Sequence, residues 1–165
     1  MKTIDKDGLL LCDIQANVFE MSINRYECSS EIFIRRFANS KIAEYFDCGI
    51  VLNESYSEYN ILDLLEEEYN GLTYGKNKYT KNEMYWIGYI YRYFCYTYDV
   101  SMKRAYKLMP PKELRSVYLP YHTLDCKQAI ERILEAKNIS FDPEEITKRG
   151  VILLREIRKR NANKM

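Results

Sequence analysis

His122 is the only histidine of the chain, and this limits the acid–base chemistry that the sequence can support. Nucleophilic triads need such a base, and the chain carries no G-x-S-x-G motif, no H-E-x-x-H motif and no glycine-rich phosphate loop. The cysteines are odd in number and form no C-x-x-C pair, which argues against a zinc site and a disulfide framework. They are Cys12, Cys28, Cys48, Cys95 and Cys126. The sequence therefore disfavours an enzyme and predicts neither a metal nor another cofactor.

Arg115 and His122 are separated by six residues. This resembles the loose Arg-x(4–6)-His spacing of the HEPN ribonucleases, which implies an arginine and a histidine projecting from one helix toward RNA. Two features depart from that pattern: Pro120 is expected to break the helix between them, and Ser116 follows the arginine where the family has a stronger polar side chain. A ribonuclease is therefore our third hypothesis. The favoured role is structural: His122 or Thr123 is expected to form a local hydrogen bond at the N-terminus of the helix that Asp125 begins.

Residues 84–99 read MYWIGYIYRYFCYTYD and form the most informative stretch of the chain. Thr80 and Glu83 match a capping box, so a helix is expected to begin here, and the run is too long for an ordinary strand. At about 100° per residue its side chains sort onto two sides. One side carries Trp86, Ile87, Ile90 and Phe94. The other carries Tyr85, Tyr89, Tyr93 and Tyr96, named the tyrosine face here, with Arg92 at its edge.

The tyrosine face supports two interpretations. Tyrosine buries a large ring at low entropy cost and keeps a hydroxyl for hydrogen bonding, which makes it common at protein interfaces. The face, with Arg92, would then bind a partner protein. Alternatively, the helix is so central that the tyrosines fill the core, each hydroxyl bonded to a backbone group or an acid. Stacking of single-stranded nucleic acid is disfavoured, because this segment lacks a basic groove.

Arg35 and Arg36 interrupt the apolar segment EIFIRRF. An arginine placed there can hold a carboxylate or a phosphate of a partner with its planar fork. It can equally pair with an acid of the same chain or lie on a solvated face. We expect one of these internal or solvated roles for at least one of the two arginines, and count both as candidate partner contacts.

The C-terminal residues 148–165 hold seven basic residues against Glu156 alone. Clustered cations of this kind contact nucleic-acid phosphates or an acidic protein. The candidate contacts are Arg155, Arg158, Lys159 and Arg160. The alternative interpretation is a solvated, frayed terminus or the end of the last helix. Nucleic-acid binding through the basic C-terminal half is our second hypothesis.

Helical periodicity extends along nearly the whole chain, and no segment reads convincingly as a strand. Asp7 is the expected cap of the first helix, and the second is expected to be interrupted near Asn39–Ser40. Residues 48–57 are expected to form a loop, and Pro120 to end a helix. The sequence predicts an all-α fold: a single compact domain, residues 1–165, with seven or eight helices around the tyrosine-rich helix.

Composition agrees with a globular protein. The 165 residues are 47% hydrophobic and 30% charged, and a chain of this length can bury a core without a metal or disulfides. Residues 1–98 carry 10 basic against 15 acidic residues, and residues 99–165 carry 15 against 9. Such asymmetry favours self-association or an anionic partner. Since no signal peptide or spanning segment is recognisable, we expect a cytoplasmic protein without a membrane partner.

Three segments together resemble a family of short bacterial proteins. They are SSEIFIRRF (29–37), EMYWIGYIYRYFCYTYD (83–99) and LPYHTLDCKQAIERILEAK (119–137). The family is common in Gram-positive gut bacteria and is encoded near toxin-like genes, some resembling ADP-ribosyltransferases. The resemblance spans residues 9–137 and implies an antitoxin or toxin-accessory role without catalytic residues. A non-enzymatic interaction protein that occludes a partner is therefore our first hypothesis.

Overall fold

A computed structural model of the protein describes residues 1–162. These residues form ten helices and no strand, which confirms the predicted all-α fold. The helices are α1 (Lys6–Arg25), α2 (Ser30–Ala38), α3 (Lys41–Asp47), α4 (Ile50–Asn53), α5 (Glu58–Tyr69), α6 (Lys81–Tyr98), α7 (Met102–Leu108), α8 (Pro111–Tyr121), α9 (Cys126–Ala136) and α10 (Pro143–Ala162). None of the helices within residues 1–162 has both the length and the apolar composition needed to cross a membrane.

The described residues form ten helices rather than the predicted seven or eight, because α3 and α4 are too short for the spacing of apolar residues to show them as separate helices. The expected interruption is confirmed: α2 ends at Ala38, and the Ser40 hydroxyl accepts the Ala43 N–H at 3.1 Å to begin α3. The four-residue α4 lies inside the predicted loop. The cap of α1 is Asp5 rather than Asp7, since the Asp5 carboxylate accepts the Gly8 N–H at 2.8 Å.

Pro120 does not break its helix, contrary to the prediction. Helix α8 continues to Tyr121, and the His122 N–H still donates to the Tyr118 carbonyl at 2.8 Å. A proline removes one backbone hydrogen bond and its ring crowds the carbonyl four residues before it. Here α8 ends one residue after Pro120, so little of the helix depends on the missing bond. Arg115 and His122, the C-cap of α8, consequently lie about two turns apart along the helix.

The chain forms two compact units, Met1–Ile130 and the residues from Glu131 onwards. In the first unit, α6 packs along α1 and also against α7 and α8, so the tyrosine-rich helix is central as predicted. Helices α1 and α6 run antiparallel, because the Lys2 N–H near the start of α1 donates to the Thr97 carbonyl near the end of α6. Phe19 anchors an aromatic cluster, with its ring edge-on to Phe33 and Phe37 at 5.3 and 4.9 Å.

The five cysteines are free thiols that differ sharply in exposure. Cys12, Cys28 and Cys95 are buried, and burial raises the pKa of Cys12 and of Cys95 to about 12. Only a thiolate reacts readily with alkylating agents. We therefore expect iodoacetamide at pH ~8 to modify the exposed Cys48 first and the buried thiols only after unfolding. Peptide mass spectrometry would contradict this if Cys12 were labelled as fast as Cys48.

Candidate partner-binding surface

The tyrosine face lies on α6, whose start is fixed by the predicted capping box. The Thr80 hydroxyl accepts the Glu83 N–H at 3.2 Å, and the Glu83 carboxylate accepts the Thr80 N–H at 2.8 Å. Ile87, Ile90 and Phe94 are buried on the inner side. All four tyrosines of the face remain partly exposed. Trp86, expected on the inner side, is also partly exposed and packs edge-on to the ring of Tyr118 at 5.6 Å.

Asp5, the N-cap of α1, and Asp13, within α1, hold the two ends of the tyrosine face. The Tyr85 hydroxyl donates to Asp13 at 3.2 Å, and the Tyr96 hydroxyl donates to Asp5 at 2.6 Å. The Lys2 ammonium lies 3.7 Å from the centre of the Tyr96 ring, within cation–π distance. Asp5 thus has two roles, because its carboxylate accepts the hydrogen bond from Tyr96 and also caps α1.

Close approach of α1 and α6 at this end depends on a residue without a side chain. A Cβ atom at Gly8 would lie 2.6 Å from the Cε1 atom of Tyr96 and 2.8 Å from Ile4. Any larger residue at position 8 would push the Tyr96 ring away from the first turn of α1. The glycine therefore permits the hydrogen bond between Tyr96 and Asp5.

The tyrosine hydroxyls remain protonated at neutral pH. The hydrogen bond to Asp5 is the main reason that the pKa of Tyr96 rises to about 12, and the same bond lowers the pKa of Asp5. Burial raises the pKa of Tyr85, Tyr89 and Tyr93, and neighbouring acids and thiols add to the effect. The face therefore presents neutral rings and hydroxyl donors, which suit recognition rather than nucleophilic chemistry.

Three residues of this surface were not identified from the sequence: Asp5, Leu9 and Asp13. Their spacing of four puts them on one side of α1, the side whose acids reach Tyr85 and Tyr96. Leu9 lies between the two acids along the chain, and its side chain is exposed. The i, i+4 spacing could have grouped them. No sequence signal, however, indicates that α1 lies beside α6.

Arg92 does not lie at the edge of the tyrosine face, contrary to the prediction. Its side chain is 2% exposed and points into the first unit. Its guanidinium donates to Asp47 at 2.7 Å and to the side-chain oxygen of Gln15 at 2.9 Å. A buried charge needs such partners, because removing an ion from water is costly. Arg92 therefore belongs to the core and cannot anchor a partner.

A cavity of about 200 Å³ borders Arg92 and Asp47. Tyr96, Asp99 and Ser101 also line it. Its volume lies below the roughly 300–1,000 Å³ of ordinary ligand pockets. The Asp47 carboxylate is already engaged, since it accepts the Met102 N–H at 3.0 Å as well as the Arg92 guanidinium. The cavity is therefore a weaker candidate for a ligand-binding site than the tyrosine face is for a protein-binding site.

Arg35 and Arg36 occupy different environments on α2. Arg35 is exposed, and Arg36 is partly buried with its guanidinium 4.7 Å from the centre of the Tyr69 ring. The Tyr69 hydroxyl in turn donates to the Arg36 carbonyl at 2.7 Å. Arg36 thus joins α2 to α5, in line with the expected internal role, whereas Arg35 is available to a partner. Partner binding by this segment stays a prediction.

Arg115 and His122 are engaged locally. The Arg115 guanidinium donates to Glu83 at 3.2 Å and lies 4.3 Å from the centre of the Tyr79 ring. The Nδ1 atom of His122 lies 2.9 Å from the Leu119 carbonyl, and its ring stacks on Tyr118 at 4.8 Å. The histidine therefore bonds back to the end of α8 rather than at the start of α9. The ribonuclease hypothesis stays a prediction. Its arginine, Arg115, is already paired with Glu83.

The candidate nucleic-acid contacts lie along α10. Arg155, Arg158, Lys159 and Arg160 are exposed there, as the hypothesis requires. Lys164, the last basic residue of the tail, lies outside the described residues. Up to Arg160, the predicted tail is the end of the last helix. Nucleic-acid binding stays a prediction, because exposed cations at a helix end are also favoured by the helix dipole.

Within residues 1–162, no three histidine, cysteine, aspartate or glutamate side chains lie together in a way that could hold a metal ion. Comparison of the chain with protein-family models, curated proteins and solved structures finds no match.

Proposed function

We propose that this chain is a non-enzymatic protein-interaction module, acting in the cytoplasm, whose binding surface is the tyrosine face. The observation that carries the proposal is the arrangement of four partly exposed tyrosines on one side of α6, with the outer two hydrogen-bonded to Asp13 of α1 and to its N-cap, Asp5. Interface energy concentrates in a few aromatic residues that are already positioned before the partner arrives.

Rigidity of the face supports the proposal. The hydrogen bonds of Tyr85 and Tyr96, and the stacking of Tyr85 on Tyr89 at 6.3 Å, restrict the rings before binding. Side chains that are already fixed lose little entropy on binding, whereas each mobile side chain costs about 0.5–1.5 kcal/mol. Leu9, exposed one helical turn from both Asp5 and Asp13 along the chain, offers apolar area that a partner could cover.

The partner class follows from the resemblance stated above. Proteins of that family are encoded near toxin-like genes, so we propose an antitoxin-like or toxin-accessory role in which the tyrosine face occludes a toxin. Because the Tyr85 and Tyr96 hydroxyls already donate to Asp13 and Asp5, the face offers a partner its four rings, the hydroxyls of Tyr89 and Tyr93, and the exposed acid Asp13. It therefore suits a partner surface that combines apolar side chains with hydrogen-bond acceptors and a basic group.

Substitution of the central tyrosines tests the proposal. The wild-type protein is used to capture a partner from lysate of the native host, and the captured protein is then purified and titrated by calorimetry. Tyr89→Ala and Tyr93→Ala are each expected to weaken its binding about tenfold or more, because truncating an interface tyrosine removes a large buried ring.

Tyr59→Ala is the matched control. Tyr59 lies on α5, is 69% exposed and is absent from the tyrosine face. Its truncation should leave both binding and helical circular dichroism unchanged. Equal affinity of Tyr89→Ala, Tyr93→Ala and the wild type would show that binding uses another surface. Loss of helicity in both test variants would instead assign the tyrosines to the core, and the proposal would fail.

A further inference from the structure

The ring of Tyr96 carries a cation on one face. The Lys2 ammonium lies 3.7 Å from the centre of that ring, well within the roughly 6 Å over which an aromatic face attracts a cation. Lys2 is exposed and Tyr96 is partly exposed, so this contact lies at the surface of the protein, at one end of the tyrosine face. The chain itself therefore places an ammonium group on this ring.

The hydrogen bond between Tyr96 and Asp5 strengthens the attraction of the ring for a cation. The Tyr96 hydroxyl donates to the Asp5 carboxylate at 2.6 Å, and a phenol that donates to an anion is polarised so that its ring becomes more negative. This hydrogen bond is the main cause of the lowered pKa of Asp5, and the Lys2 ammonium adds to the effect. The ring, the carboxylate and the ammonium therefore belong to one electrostatic site.

The cavity beside the ring has the same preference for a cation. Lys2, Tyr96 and Asp99 line it. Arg92 and Asp47 line it as well, but their ion pair of 2.7 Å leaves no net charge. Asp99 adds an exposed carboxylate. If the Lys2 side chain moved away, the ring would be left between carboxylates whose charge favours another cation.

The side chain of Lys2 is held at this site by a weak contact. Within residues 1–162 its ammonium forms no ion pair with a carboxylate. The backbone N–H of Lys2 donates to the Thr97 carbonyl at 2.7 Å, so the side chain can turn away while the backbone stays in place. An exposed cation–π contact is worth a factor of only about two to five in an equilibrium constant. Another cation can therefore replace the ammonium without unfolding this end of the chain.

We infer that the Tyr96 ring and the Asp5 carboxylate form a recognition site for a basic side chain, a lysine or an arginine of the partner protein, and that Lys2 occupies this site in the free chain. The assignment rests on the proposed function, since it names one contact between the tyrosine face and its partner. Lys2 is then an internal competitor that the cation of the partner displaces. A nucleic acid or an anionic lipid surface would be repelled by the same carboxylates.

Titration of the full chain with N-acetyl-arginine amide tests the site without the partner. Nuclear magnetic resonance signals of the Tyr96 ring report binding of this small cation. Lys2→Met removes the competing ammonium and keeps an unbranched side chain, so it is expected to bind the probe about two- to fivefold more tightly than the wild type. N-acetyl-citrulline amide has nearly the same shape without the charge, and it should shift these signals in neither protein.

Lys6→Met is the matched control for Lys2→Met. Lys6 is exposed one residue after Asp5, and its substitution removes the same charge without freeing the ring. This variant should bind the arginine probe like the wild type. Adding Tyr96→Leu to Lys2→Met should abolish the gain in affinity, because the ring is then missing. Circular dichroism of each variant checks that the helices persist.

Failure of Lys2→Met to bind the arginine probe more tightly than the wild type would overturn the inference. So would an equal gain for Lys6→Met, equal binding of the citrulline probe, or a gain that survives Tyr96→Leu. These titrations contain no partner, so their failure leaves the proposed function to be judged by Tyr89→Ala and Tyr93→Ala. Conversely, normal partner binding by those two variants would reject the proposed function without changing the result for the arginine probe.

Discussion

Asp47→Ala is expected to lower the free energy of unfolding by about 3–5 kcal/mol, the largest loss that we predict for a single substitution. The substitution removes the counter-ion of the Arg92 guanidinium, whose side chain is 2% exposed, and so leaves a buried charge uncompensated. It also deprives the Met102 N–H, in the first turn of α7, of an acceptor at 3.0 Å. Urea denaturation followed by circular dichroism measures the loss.

A surface ion pair of the same length serves as the control. Arg25 and Asp63 are also 2.7 Å apart, but their side chains are 41% and 57% exposed. Water already solvates both charges, so Asp63→Ala should cost no more than about 1 kcal/mol. Equal losses of unfolding free energy for Asp47→Ala and Asp63→Ala would show that burial of Arg92 does not increase the cost of losing its ion pair.

A second variant separates the charge effect from simple loss of packing. If the cost of Asp47→Ala arises from the uncompensated arginine, then in an Arg92→Met background the same substitution should cost much less. The prediction fails if the cost is the same in both backgrounds. In that case the helix contact through Met102 would account for the role of Asp47.

Gly88→Ala is expected to destabilise the protein by about 1–3 kcal/mol, although alanine is the better helix former. A Cβ atom at this position would lie 2.9 Å from the Phe19 ring and 3.0 Å from both the Cα atom of Ala16 and the carbonyl oxygen of Gln15. Two of the three neighbours are backbone atoms of α1, which cannot move aside alone. The helices α1 and α6 must separate instead.

Gly150→Ala provides the comparison for Gly88→Ala. Gly150 is also helical but meets nothing within 4 Å, so alanine there should gain the ordinary helix propensity. Thermal or urea unfolding of both variants distinguishes the two effects. A stabilised Gly88→Ala variant would mean that α1 and α6 do not approach as closely as the structure has them.

The two predictions with the largest effects converge on Gln15. Its side-chain nitrogen donates to the Gly88 carbonyl at 3.0 Å, and its oxygen accepts from the Arg92 guanidinium at 2.9 Å. The close crossing of α1 and α6 and the buried ion pair therefore share one amide. Such coupled sites are not expected to be additive, so the double variant should lose less than the two single losses together.

Much of the fold can be read from the sequence because helix ends depend on neighbouring residues. The capping box of Thr80 and Glu83 uses hydrogen bonds that span three residues, and Asn70 adopts the left-handed conformation that ends α5. Asp7 was mistaken for the cap because Asp5 and Asp7 offer the same chemistry two residues apart. Local signals thus fix the presence of a helix more reliably than its first residue.

The sequence by itself determined the all-α class, the helical nature of the aromatic run and the grouping of four tyrosines on one side of it, because each depends on periodicity within a few turns. Only the tertiary structure decided that Arg92 lies in the core, since its partners Gln15 and Asp47 are 77 and 45 residues away along the chain. The contacts of Asp5 and Asp13 with the tyrosine face span 91 and 72 residues. Whether a polar side chain is buried depends on which helices meet, and no local pattern contains that information.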